Sequence, residues 1–268
     1  MGKFFFHRIV RSKPLYFVLV VGVVISFLQI FQEATFFPND LKYNYGVQFT
    51  PFQSWIEFGI SSSYRYLLFL LLPIMAAIPF ADLYAKDQQT GYLKAILSKG
   101  KMKQYFNGLY ITNFIAAGSV IVIPLIVNIY LSFMTLPNIK PDPLIDLLPV
   151  NEMNTFFPTL YYSYPLLHML FYVFLAFLFA GMYATVCLSV SLFVRSRFFI
   201  LISAFVINMA LTLILEFANK HGSIPSNFLT EITVQSSISF TALIIIFSTG
   251  MIISTLLYMV GVRKRVIF

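Results

Sequence analysis

Residues 165–194 read PLLHMLFYVFLAFLFAGMYATVCLSVSLFV, thirty positions without an Asp, Glu, Lys or Arg, and Arg195 and Arg197 follow at once. A helix needs about 20 apolar residues to cross the hydrocarbon layer of a bilayer. A run this long, closed by bases, reads as a membrane span. At about 1.5 Å per residue it extends about 45 Å, so it tilts or projects beyond the lipid. The same signature recurs along the chain, and six stretches qualify: 14–32, 64–82, 107–136, 165–194, 198–217 and 238–262. Pro73 and Pro79 predict a kink in the second, and Pro124 a bend in the third.

The charges sort around these runs. Fourteen of the 18 Lys and Arg lie in four patches: Lys3/Arg8/Arg11/Lys13, Lys86/Lys94/Lys99/Lys101/Lys103, Arg195/Arg197 and Arg263/Lys264/Arg265. That side carries two of the ten acids, Asp82 and Asp87, and the alternate connections carry the other eight beside Lys42, Arg65, Lys140 and Lys220. Basic loops stay in the cytoplasm. The expected fold is therefore an all-α integral membrane protein of six transmembrane helices with both termini cytoplasmic. It is a multi-pass protein of a cell membrane, with the bacterial plasma membrane as the expected one.

Composition agrees. Hydrophobic residues make up 59 % of the chain and charged ones 10 %, and the mean hydropathy is +0.83. A soluble domain of this size could not cover so much apolar surface. The pI of about 9.5 would suggest nucleic acid in a soluble protein, but here the bases flank spans, so membrane lipid is the expected partner. One cysteine, Cys187, excludes an intrachain disulfide and a Cys-rich metal site. The first apolar run lacks a small-x-small cleavage site and reads as an uncleaved span. The outer connections, 33–63, 137–164 and 218–237, are too small for a further domain, so 1–268 reads as one transmembrane domain. Their aromatic clusters, such as Phe156-Phe157 and Tyr161-Tyr162, read as interfacial anchors. Ala176, Ala180, Gly181 and Ala184 form a ridge of small residues that lets a neighbouring helix approach closely.

Two cytoplasmic pieces are amphipathic. In residues 3–13, Phe5, Phe6, Ile9 and Val10 share one arc and Lys3, His7, Arg8 and Arg11 the other, the pattern of a helix lying in the headgroup plane. Pro14 then turns the chain into the first span. In the loop 83–106, Leu93, Ile96 and Leu97 stand at i, i+3, i+4 spacing. Thr90 is the expected N-cap of that short helix and Gly100 its C-terminal stop.

Catalytic signatures are absent. No P-loop, H-E-x-x-H or G-x-S-x-G occurs, and His7, His168 and His221 are scattered, so neither a catalytic nor a metal site is expected. Asn113, Asn128, His168 and Asn208 are the polar residues expected inside the spans. Hydrogen bonding between helices is their simpler role, and a candidate substrate path the other. A proton- or sodium-driven carrier would place ionisable groups at mid-membrane, and these spans do not. No internal repeat supports an inverted-repeat transporter.

Residues 82–105, DLYAKDQQTGYLKAILSKGKMKQY, resemble the first intracellular loop of type-2 ABC exporter permeases: an acid, a Gly-Tyr, a short apolar helix and then bases leading into the third span. The basic amphipathic N-terminus and the six spans resemble that family too. The lysine common at the start of its third span is replaced here by residues 107–110, NGLY. The resemblance implies a half-transporter that pairs with a second permease protomer, as homo- or heterodimer, and docks on a separate ATP-binding cassette subunit. ATP and Mg would sit on that subunit, and this chain would hold no cofactor. Gly91, Tyr92, Leu93, Lys94, Ile96 and Leu97 would form the coupling helix. The expected function is export of a hydrophobic or amphipathic substrate, toxic or antimicrobial peptides first and drugs or lipids next. The alternative is a non-transporting anchor or sensor that recruits a cytosolic partner through 83–106. An intramembrane enzyme is disfavoured by the lack of converging acid, base or metal ligands.

Overall fold

The computed structural model describes residues 2–35, 50–58, 63–93, 102–143, 150–232 and 237–266, and every regular element among them is helical. Five helices are long and apolar enough to cross a membrane. They are α2 (Lys13–Thr35), α6 (Met102–Thr135), α8 (Pro165–Ser191), α9 (Arg197–Phe217) and α11 (Phe240–Val266). The shorter helices are α1 (Gly2–Val10), α3 (Pro51–Ser54), α4 (Ser63–Ala77), α5 (Leu83–Gln89), α7 (Pro158–Ser163) and α10 (Pro225–Phe228).

The expected second span, 64–82, is shorter than its apolar run. Helix α4 holds 15 residues, about 22 Å, and gives way to a turn over 78–82 before α5 begins. Pro79 lies in that turn; a proline supplies no donor and disfavours helical geometry at the residue before it. Pro73 and Pro124 are instead carried inside α4 and α6.

Helix α8 is the axis, packed against α4, α6, α9 and α11. Ala176, Ala180 and Ala184 are fully buried, as the small-residue ridge requires. A Cβ on Gly181 would lie 2.5 Å from the Phe114 ring, and one on Gly118 2.3 Å from Phe177. The two rings meet edge to face at 5.7 Å. Each helix thus offers a glycine to the other's phenylalanine, the close approach that packing in lipid relies on.

Polar pairs set the register. At the acidic end the Ser26 hydroxyl donates to the Pro124 carbonyl at 2.9 Å, and the Asn128 amide donates to Gln29 at 2.8 Å. At the basic end the Ser189 hydroxyl donates to the Ser254 carbonyl, and the Tyr258 hydroxyl to the Phe106 carbonyl, both at 2.8 Å. In an apolar surround such groups need partners inside the protein. The most apolar window of α8 is 72 % buried, but those of α9 and α11 are 17 % buried. Their outward faces are as apolar as the core, which lipid tolerates and water does not.

Helix α1 is held by the bundle itself. It ends at Val10, and α2 begins at Lys13 with Pro14 in its first turn, where a proline is tolerated. Phe5 is fully buried, 5.6 Å from the Tyr105 ring. A Cβ on Gly108 would come within 2.8 Å of the Phe5 ring. Phe5 of α1 is therefore docked on α6, with Gly108 making the room.

Candidate functional site

At the basic end, two acids tie four segments together. Arg8 of α1 grips Asp87 of α5 with both terminal nitrogens, at 2.8 and 2.7 Å, and the Tyr105 hydroxyl of α6 donates to the same carboxylate at 2.6 Å. Burial opposes the Arg8 charge, but the bonds to Asp87 hold its pKa above the ordinary value. Asp82 pairs with Lys86 and with Arg197 at the start of α9, both at 2.9 Å. Bidentate Arg–carboxylate geometry of this kind fixes orientation as well as energy.

Beyond these ties lies the expected coupling segment. Thr90 is not an N-cap. It closes α5, its hydroxyl donating to the Lys86 carbonyl at 3.0 Å, and Gly91 follows with φ +73°, the left-handed conformation that ends a helix. Helical backbone resumes at Tyr92 and Leu93. Lys94, Ile96, Leu97 and Gly100 lie outside the described residues. Leu93, expected to face a partner, is 9 % exposed and packs in the cluster around Phe5, Tyr84 and Tyr105. Its apolar surface is used within the chain. Tyr92 is the exposed one at 40 %, stacked on Phe4 at 6.0 Å with the Arg8 guanidinium 5.7 Å from its ring. A cleft of about 830 Å³ opens here, lined by Phe4, Arg8, Lys86, Thr90, Gly91 and Tyr92 among others.

At the opposite end the connections fold inward as a cap over α8. Trp55 and Tyr161 are fully buried and Phe156 nearly so, so these are cap residues and not interfacial anchors. Phe157 and Tyr164 do face outward. The His168 Nδ1 meets the Glu231 carboxyl at 2.6 Å, and its Nε2 donates to the Phe156 carbonyl at 2.7 Å. Because that carbonyl can only accept, Nε2 carries a proton, and one further proton lies between Nδ1 and Glu231. The Trp55 indole also donates to Glu231. Glu57 is fully buried with neither carboxylate oxygen hydrogen-bonded. Burial, then the charge of Glu231, hold its pKa well above the ordinary value, and burial also raises Glu231 against its bonds to His168 and Trp55. Arg65, 4 % exposed, reaches the carbonyls of Phe58 and Ile232 at 3.4 Å and pairs with no acid among the described residues.

The four residues of the candidate substrate path do not converge. Asn128 bridges α2, α6 and the Ile56 amide, while Asn208 accepts from the Tyr183 hydroxyl at 2.6 Å. His168 belongs to the cap, and Asn113 is buried with neither side-chain atom hydrogen-bonded. Sequence reasoning passed over Glu57 and Glu231 because both sit in connections. Their signal was a lone acid inside an apolar run, SWIEFGI and FLTEITV. Among the described residues no group of His, Cys, Asp and Glu is arranged to hold a metal ion. No protein family, curated protein or solved structure matches the chain.

Proposed function

We propose that the chain is the membrane permease subunit of an ATP-driven ABC exporter, energised by a separate ATP-binding subunit and paired with a second permease protomer. Its basic end and both termini face the cytoplasm of a bacterial plasma membrane, and α4 with the turn after it completes a sixth crossing. The substrate is hydrophobic or amphipathic, with a toxic or antimicrobial peptide first and drugs or lipids next. One observation carries this reading. The loop that leads to Gly91 and Tyr92 is bonded to α1, α6 and α9 through Asp87 and Asp82. A push delivered at Tyr92 therefore reaches three elements as a rigid displacement, which is what an ATP-driven lever needs. The outward faces of α9 and α11 leave room for a second protomer or lipid.

Co-expressed with a Walker-motif ATPase encoded beside it, the chain should co-purify that subunit. Tyr92→Asp should weaken the association about 30- to 150-fold, as loss of a central aromatic anchor does, while membrane abundance holds. Tyr92→Phe, which keeps the ring on Phe4, should assemble normally. If Tyr92→Asp assembles and exports like the parent, the loop is not the docking element. Orientation is tested by single cysteines in a Cys187→Ala background. Gln89→Cys should resist an impermeant reagent added to intact cells, and Asn138→Cys and Glu152→Cys should react; the reverse pattern would invert the topology.

A further inference from the structure

The elbow between α1 and α2 frames a second cleft, of about 590 Å³. Its floor is apolar, built from Phe4, Pro79, Phe80 and Leu83. Its rim is basic. His7, Arg11 and Lys13 stand along one edge, and Arg8 and Lys86 close the side facing α5. The acids on this side are already committed, Asp87 to Arg8 and Asp82 to Lys86 and Arg197. Arg11 and Lys13 are exposed and make no ion pair or side-chain hydrogen bond with any described residue. The cleft thus holds two uncompensated cations over an apolar floor.

Position completes the description. Lys13 opens α2, a helix long and apolar enough to cross a membrane, and Tyr16 and Phe17 in its first turns are 51 % and 64 % exposed. With α2 crossing a membrane, the rim lies at the depth where that helix leaves the polar layer and enters the apolar one.

One ligand chemistry uses both halves of this cleft. A phosphodiester accepts from Arg11 and Lys13, and the glycerol and first acyl carbons attached to it cover Phe4, Phe80 and Leu83. A soluble phosphate would use the cations and leave the floor in water. A zwitterionic headgroup brings its own cation toward Arg11 and Lys13. We propose that this cleft seats the phosphate of an anionic phospholipid from the leaflet at the basic end. The bound lipid bridges α1 to the 78–82 turn and the start of α5, and so steadies the segment that carries Asp82 and Asp87. The proposal needs a membrane but not the exporter reading, and it stands or falls separately.

Native mass spectrometry of the full chain in a neutral detergent provides the test, titrating dioctanoyl phosphatidylglycerol, dioctanoyl phosphatidylcholine and inorganic phosphate in turn. The anionic lipid should bind about 30-fold more tightly than the zwitterionic one, from two bases acting near a charged headgroup. Inorganic phosphate should not displace it at equal concentration. Arg11→Gln with Lys13→Gln should abolish the preference, and Arg263→Gln with Lys264→Gln, equally basic but at the far end of α11, should keep it. Thermal unfolding in detergent should be unchanged in both variants. If Arg11→Gln/Lys13→Gln unfolds early, Arg11→Lys/Lys13→Arg, which keeps both charges, must restore the preference. Equal binding of the two lipids, or a preference that survives the first variant, overturns the proposal. Displacement by inorganic phosphate makes the cleft a soluble-anion site and overturns it equally.

Discussion

Glu231→Ala should lower the stability of the folded chain by about 3–5 kcal/mol, the cost of leaving two buried polar groups without a partner at about 1–3 kcal/mol each. The change strips the acceptor from the Trp55 indole and the partner from His168 Nδ1, and both of those side chains are fully buried. Neither can turn to water, so each pays its desolvation without return. Glu231→Gln keeps the volume and one acceptor for Trp55, and should cost roughly half as much. Thermal unfolding in detergent, read by Trp55 fluorescence, measures both. Unchanged unfolding in Glu231→Ala would mean that the cap contributes nothing to the fold.

The same cap sets a pH dependence. Glu57 and Glu231 both have folded pKa values raised above the ordinary 4.5. Above 4.5 the unfolded chain has released protons that the folded chain still holds. The folded state then binds more protons, and stability falls as pH rises from the ordinary carboxylate value through the raised ones. Below 4.5 both states are protonated and that contribution is fully present. Glu57→Gln, which cannot ionise, should flatten much of this slope. A slope of the opposite sign would require Glu57 to be charged and paired.

Asp87→Ala is the second large effect, at about 2–3 kcal/mol. Asp87 is 3 % exposed and accepts from Arg8 and Tyr105, but the Arg8 side chain is 27 % exposed and regains water when its partner is lost. The cost therefore falls below that of a fully buried pair. The visible consequence is release of α1. Trypsin should cut faster after Arg8 and Arg11 in Asp87→Ala than in the parent. Asp87→Asn, which still accepts from Tyr105, should lie between them. Arg8→Ala combined with Asp87→Ala should cost less than the two single changes added together, because they share one interaction. Additive losses would show that the bidentate contact does not hold α1 in place.

Legibility differed from element to element for physical reasons. The limits of α2, α8, α9 and α11 fall within a few residues of the apolar runs that predict them. The small-residue ridge on α8 is buried as expected, because small side chains in lipid are useful only where helices touch. The helix of the second stretch is shorter than its apolar run, since Pro79 extends that run without extending the helix. Of the two described side chains of the expected coupling helix, Tyr92 stays exposed and Leu93 does not: periodicity identifies an apolar stripe but not what covers it, and the cluster around Phe5 takes Leu93 inward.

The amino-acid sequence by itself determined that the chain is helical, where its five long apolar helices lie and how charge divides along the chain. Those properties are sums over about 20 neighbouring residues, and no distant contact can reverse them. Only the tertiary structure decided where the few polar groups go. Arg8 finds Asp87 across 79 residues and Trp55 finds Glu231 across 176, and the apolar run around Glu231 marks an acid apt to be buried without naming the indole and imidazole that receive it. The pairing follows from how α8 and the folded connections pack, because a charge removed from water must take whatever donor the packing brings within reach.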